Sequence, residues 1–336
     1  MIIFALLIVS FKTTREMFKF SISLKFRLYD NDKQNKKKGC VSPQFFPSAT
    51  QLVQSLTGLR AKSTINNYQT ALRVFGRYAG KEVVISAVDA HLLEGFQQWL
   101  MERHVSPNTI SCYMRSIRSL LYQMQPSCRH QDLFDNIYTG KMRTDKRSIA
   151  IDEIARLRHI LLPPSSPLAF SRDIFLFSFY ALGMPFVDVA FLQKQQCKDG
   201  YIVYDRHKTG QRVRVRIEPL MQQIIDRYSR EDSIYVFPIL TASDRDAKEK
   251  EYESVRSRYN RHLRKLGEMM GLGRRLTSYV ARHSWASIAY HANVDLSVIS
   301  KALGHSSPNT TLTYIREIDD NRIDMANKEL LDRLML

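Results

Sequence analysis

Cysteine is scarce in this chain: Cys40, Cys112, Cys128 and Cys197 are the only four among 336 residues, and no two form a Cys-x-x-Cys pair. That spacing argues against a zinc ribbon, a thioredoxin-like redox site and a disulfide scaffold, and it fits a reducing cytoplasm. Long apolar runs are equally few. Met1 to Phe11 is the one such run, and it is about half of the roughly 20 residues a membrane-spanning helix needs. It has no positive stretch ahead of it and is followed by Lys12, Arg15 and Lys19, so it reads as a dispensable or misassigned leader rather than a membrane anchor. No internal repeat, metal-binding carboxylate cluster or phosphate-cradling glycine loop is apparent. Acidic residues are outnumbered, 33 Asp and Glu against 50 Lys and Arg, and the net charge of +17 would repel itself without a polyanion or dispersed counter-ions. Nucleic acid is the expected partner.

What is present suffices for one or two packed cores: 44% of residues are apolar and 10% aromatic. At roughly 150 residues per domain the length suggests two domains. Residues 1–40 carry a net +6 and end in Lys36-Lys37-Lys38 ahead of Pro43 and Pro47, the composition of a basic arm lying on phosphates or of a solvated leader. Residues 41–130 repeat apolar residues at helical spacing, as in Leu72, Phe75 and Tyr78, or Ile110, Tyr113, Ile117 and Leu120. A small helical bundle is expected there, with cap-like Ser63-Thr64 before the Ile65 helix and Ser106-Pro107 before the Ile110 helix. Arg115 and Arg118 then project from the polar side of the last helix. Residues 131–148 lose the periodicity, carry Lys141 and Arg143, and read as an interdomain connection.

A second domain is expected over residues 149–317. Its helices include 151–161 and 172–182, and alternation from Tyr201 to Ile217 predicts two strands around Lys208-Thr209-Gly210-Gln211. The fold class is therefore mainly α with a small antiparallel β-sheet. In the tail, 318–336, the residues Ile318, Ile323, Ala326, Leu330, Leu331 and Leu334 form an apolar stripe that must be buried, on a neighbouring subunit or on its own domain.

The most informative stretch runs from Leu276 to Tyr314. Ser278 can cap a helix that places Tyr279, Arg282 and His283 at i, i+3 and i+4 on one face. Asp295 can cap the next helix and Gly304 can end it, so that His305 emerges at a helix C-terminus. A short helix carrying Tyr314 follows. The Arg282-His283 pair, the Leu303-Gly304-His305 step and Tyr314 nine residues after His305 resemble the tyrosine recombinase family of phage-type integrases, over roughly residues 45–320.

The resemblance implies a helical, SAM-like core-binding domain, a catalytic domain with a lysine in a β-hairpin, and cleavage of DNA without metal, ATP or other cofactor. Attack on a phosphodiester spreads negative charge over its oxygens, so cationic hydrogen-bond donors are what the chemistry requires. In that scheme Arg282 holds the non-bridging oxygens in a bidentate fork and His305 hydrogen-bonds a phosphate oxygen. Lys208 protonates the leaving oxygen. Tyr314, a poor nucleophile with its ordinary pKa near 10, attacks once cations stabilise its phenolate, leaving a 3′-phosphotyrosyl link and a free 5′-hydroxyl. Arg115, Arg118, Lys141 and Arg143 contact the duplex, and the tail couples subunits in a homo-oligomer, expected to be a tetramer.

Two positions depart from the family pattern. Gly183-Met184-Pro185-Phe186-Val187-Asp188 stands where Gly-Leu-Arg-Ile-Ser-Glu is usual, so Pro185 replaces an arginine while Asp188 keeps a bracing carboxylate. Tyr279 stands three before Arg282, where histidine is usual, and either donates to phosphate or simply packs. If the first strand keeps its period of 2 to the turn, Arg206 shares a face with Lys208 and can supply the second guanidinium; otherwise it is a surface arginine beside Arg212, Arg214 and Arg216. The expected activity is that of an integrase of a phage or other mobile element. Two rival readings are a catalytically silent, sequence-specific DNA-binding protein and a relaxing topoisomerase.

Overall fold

Buried phenylalanines from three successive helices organise the N-terminal part of the chain. Four helices, α1 (Phe45–Leu56), α2 (Lys62–Ala79), α3 (Ala90–Glu102) and α4 (Pro107–Met124), share one core in which Phe45 of α1, Phe75 of α2 and Phe96 of α3 are each fully buried. The rings of Phe45 and Phe75 meet edge to face at 5.7 Å, and those of Phe75 and Phe96 lie 5.0 Å apart. Leu93, Leu100, Met114, Ile117 and Leu120 complete that core. Asp89 caps α3 by accepting from the backbone N–H of Leu92 at 2.8 Å, and Pro107 opens α4 behind Ser106. Ser63 and Thr64 lie inside the first turn of α2 rather than at its cap, which is Ala61.

The computed structural model describes residues 43–130, 132–142, 148–241, 245–305, 308–312, 327–328 and 331–332. The chain divides into two compact units between Arg143 and Thr144. Within the first unit, the stretch read as a connection packs onto the bundle. Phe134 and Ile137 are buried, Tyr138 N–H donates to Gln97 Oε1 at 2.7 Å, and Asn108 Oδ1 accepts from Met142 N–H at 2.9 Å. Two apolar anchors three residues apart are enough to fix a segment that has no helical periodicity.

The second unit is built around α6 (Pro167–Tyr180), whose residues Ile174, Phe175, Leu176, Phe177 and Phe179 are all buried. A helix apolar on nearly every side must lie inside a core. Around it stand α5 (Ile151–His159), α7 (Phe186–Ala190), α8 (Pro219–Tyr228) and α9 (Arg245–Met269), followed by α10 (Ser278–His291), α11 (Leu296–Ala302) and α12 (Pro308–Leu312). Strands β1 (Cys197–Lys198), β2 (Tyr201–Asp205) and β3 (Arg212–Arg216) form an antiparallel sheet in the order β1-β2-β3, with Tyr204 opposite Val213. Alternation sends Ile202, Tyr204, Val213 and Val215 inward and leaves Arg212, Arg214 and Arg216 exposed. No helix among the described residues is long and apolar enough to cross a membrane.

A buried carboxylate ties α6 to α8. Asp173, 2% exposed, accepts from Arg172 Nε at 2.8 Å, Arg227 Nη1 at 2.7 Å and the Tyr228 hydroxyl at 2.8 Å. Burial and this carboxylate push the Tyr228 phenol up to about 12, so it stays a donor. Removing one partner of such a cluster strands the others. Asp173→Ala is expected to lower the unfolding free energy by about 3–5 kcal/mol in chemical denaturation, with Asp173→Asn retaining part of it.

Candidate active site

Two backbone turns, the second of them a helix end, create the site. After α6 the chain reverses through Leu182 (φ 57°) and Gly183 (φ 69°), pinned by Ser178, whose hydroxyl donates to the Met184 carbonyl at 2.6 Å and whose own carbonyl accepts from Met184 N–H at 3.0 Å. Gly183 is required both by its left-handed backbone and by space: a Cβ there would stand 2.8 Å from Arg282 Cα. Its carbonyl accepts from Arg282 Nη1 at 3.0 Å. Pro185, at the position of the expected arginine, is buried and is the N-cap of α7.

The second turn ends α11. Gly304 (φ 62°) donates its N–H to the Lys301 carbonyl at 3.0 Å and His305 donates to Ser300 at 2.9 Å, the paired bonds of a Schellman cap. Ala286 of α10 packs with Ile299 and Leu303, all fully buried, and holds this helix end against the arginine-bearing helix. The Leu303 carbonyl thus faces inward, where it accepts from Arg282 Nη2 and from Arg206 Nη1, the latter at 2.7 Å. Arg206 Nη1 also reaches the Gly304 carbonyl at 3.2 Å.

Arg206 lies just beyond β2 and continues the inward parity of Ile202 and Tyr204, so it is 6% exposed and not a surface arginine. The strand does not persist to Lys208, which sits exposed in the turn, where the Arg206 carbonyl accepts from Thr209 and Gly210. A Cβ at Gly304 would stand 2.7 Å from Arg206 Cδ, so the absence of a side chain there makes room for the arginine stem. Asp188 lies beside Arg206: its Oδ1 accepts from His207 N–H at 2.9 Å and its Oδ2 lies 3.7 Å from Arg206 Nε. Burial raises the Asp188 pKa, against the lowering pull of the His207 hydrogen bond and the neighbouring cations.

His305 joins the cluster through both ring nitrogens. Nε2 lies 3.0 Å from Arg282 Nη2 and Nδ1 lies 2.9 Å from Thr311 Oγ1. Burial, followed by the charges of Arg282, Arg206 and Lys208, pulls its pKa down to about 4. The structure therefore brings together Arg282, Arg206, Asp188 and His305, with the Lys208 charge close enough to act on His305. Tyr279 is 42% exposed, one turn before Arg282, and sets its ring edge-on to His283 at 5.2 Å. Helix α10 begins at Ser278 with Thr277 as its N-cap, one residue earlier than the cap expected. Tyr314, Arg143, the arm 1–40 and most of the apolar tail lie outside the described residues. In the first unit, Arg115 and Lys141 are exposed, and Arg118 places its guanidinium 5.8 Å from the Phe134 ring centre. Thr311 was not legible in the sequence, since a threonine six residues after a histidine is no recognisable pattern.

A helical bundle followed by a mainly helical unit with a three-stranded sheet and an arginine-histidine cluster is the architecture of integrase-type recombinases. Residues 148–321 match the Phage integrase family and residues 44–123 match the Phage integrase SAM-like domain. The chain belongs to the phage integrase family. A curated tyrosine recombinase of Pseudothermotoga lettingae is 33% identical over 70 residues, which span 21% of this chain and 24% of that protein. A lambda integrase dimer bound to a core site gives a TM-score of 0.61 at 15% identity, covering 82% of this chain and 98% of that one. The Tn1549 transposon integrase in complex with a circular intermediate DNA gives 0.63 at 15% identity, covering 85% of this chain and all (100%) of that one. At these identities the likeness is one of fold.

The His305 shift links folding to pH. Its folded-state value of about 4 lies below the ordinary 6.5, so the stability of the neutral ring is complete above about 6.5 and is lost as pH falls through about 4. An NMR titration should place the His305 midpoint near 4, and His305→Gln should flatten the fall in Tm between pH 6.5 and 4. A midpoint at 6.5 would contradict this arrangement.

Proposed function

We propose that the chain is a site-specific recombinase that cuts and rejoins duplex DNA through a 3′-phosphotyrosyl link to Tyr314, serving a phage or other mobile element. One observation carries this reading: two guanidiniums, Arg206 and Arg282, are gathered at a single carbonyl with one carboxylate beside them and Lys208 near. Such a cation excess suits a phosphodiester, whose developing charge the same groups would stabilise. Arg206 takes the part of the arginine replaced by Pro185. Arg282 grips the non-bridging oxygens, His305 hydrogen-bonds one of them, Lys208 protonates the leaving 5′-oxygen, and Asp188 holds Arg206 in place. Tyr279 donates to phosphate from the exposed side of α10. The covalent link stores the energy of the broken bond, so rejoining needs no ATP.

Arg115, Arg118, Lys141 and Arg143 contact the duplex in this reading, and the chain works as a tetramer joined by its C-terminal tail in a reducing cytoplasm. Lambda integrase, seen as a dimer on a core site and as a tetramer on a Holliday junction, supports assembly on DNA. A catalytically silent DNA-binding protein is the second reading, favoured by Pro185 at a helix N-cap and by Tyr279 in place of histidine.

Covalent capture separates the two. Incubated with nicked candidate sites, the wild-type chain should give an SDS-stable adduct and Tyr314→Phe none; absence of adduct from both favours the silent binder. Arg206→Ala should lower adduct formation at least about 100-fold while leaving DNA affinity within a few-fold. Wild-type cleavage by Arg206→Ala would refute its assignment as the second guanidinium.

A further inference from the structure

The hydrogen bonds of His305 fix where its proton sits. A guanidinium only donates, so His305 Nε2, 3.0 Å from Arg282 Nη2, is the acceptor of that bond. The ring is neutral beside Arg282, Arg206 and Lys208, three cations that oppose a second ring proton. Its single proton therefore sits on Nδ1 and is donated to Thr311 Oγ1 at 2.9 Å. Thr311 is fully buried, and it lies in α12 three residues before Tyr314.

This form of His305 is not the one that can bind phosphate. The oxygens of a phosphodiester only accept, so an imidazole facing one needs its proton on Nε2, which leaves Nδ1 as a bare lone pair facing Thr311. A backbone carbonyl or a carboxylate in place of Thr311 could serve only the first form. A threonine hydroxyl serves both, because it accepts in one rotor position and donates in the other.

We propose that Thr311 is a positioning residue whose hydroxyl switches the His305 tautomer: it accepts from Nδ1–H in the DNA-free chain and donates to Nδ1 once a phosphodiester replaces Arg282 at Nε2. The exchange takes one proton off Nδ1 and puts one on Nε2, with water as acceptor and donor, so the net charge of the ring does not change. Formation of the phosphate-binding histidine is thereby tied to the short helix that leads to Tyr314. The catalytic meaning of the switch rests on the cleavage reading above; the switch itself does not.

The full chain labelled with nitrogen-15 in histidine is the sample for the test. Without ligand, the His305 nitrogens should report Nδ1–H; with dimethyl phosphate at saturation, or with a pool of nicked duplexes of randomised sequence, they should report Nε2–H. Thr311→Val, close in volume, should keep Nδ1–H in the ligand-free chain, where Arg282 still donates to Nε2, but lower the share of Nε2–H reached with phosphate and slow adduct formation by about 10- to 100-fold, the range seen when an outer partner of a metal-bound histidine is lost. DNA affinity should stay within a few-fold, and Thr311→Ser should restore both the Nε2–H share and the rate. An Nε2–H signal in the ligand-free wild type, or a Thr311→Val chain with the wild-type Nε2–H share and rate, would overturn the proposal. If Thr311→Val fails to fold, the wild-type tautomer measurement still decides. A tautomer exchange in a wild-type chain that forms no adduct supports the switch and counts against the cleavage reading alone.

Discussion

The C-terminal carbonyl of α11 is the point on which the second unit's chemistry turns. Helix ends leave carbonyls without intrahelical partners, and here the inward-facing one, on Leu303, receives two guanidiniums. Burying two like charges side by side is costly, and it is tolerated because the donors meet the carbonyls of Gly183, Leu303 and Gly304 and because Asp188 lies beside Arg206. Every nearby feature serves this point. The Schellman cap aims the carbonyl, the Ala286–Ile299–Leu303 contact anchors the helix end, and two glycines leave room for the arginine stems.

Much of this was legible in the sequence because it depends on local rules. Alternation over Tyr201–Ile217 marked the hairpin, Asp295 and Gly304 marked the ends of α11, and the Arg282, His305 and Tyr314 spacing marked the family. The parity of Arg206 was legible only conditionally. Its inward direction follows from Ile202 and Tyr204, but β2 ends at Asp205, so what holds the arginine is the α11 carbonyl, which lies almost a hundred residues away. Thr311 was illegible for a similar reason: its meaning comes from the ring nitrogen it meets. In the first unit the packing of Phe134 and Ile137 escaped periodicity because two anchors in an irregular segment leave no period to read.

The departures from the family pattern divide along the same line. Pro185 suits the local need, since it starts α7 and is buried, and nothing about that turn demands an arginine. What the site requires is positive charge at a place in space, and a chain can deliver that from any neighbouring element. In the reading proposed above, Arg206 delivers that charge from the neighbouring hairpin.

The placement of Arg206 has an evolutionary corollary. A side chain carried on the last inward position of a strand depends on the pairing of Tyr204 with Val213, and slipping that pairing by one residue would turn every inward group of β2 to the solvent. The hairpin can therefore drift by substitution, as its exposed arginines allow, yet it cannot gain or lose a single residue between Ile202 and Arg206 without ejecting the cation. Length along those few positions, more than amino-acid identity, is what inheritance has to preserve.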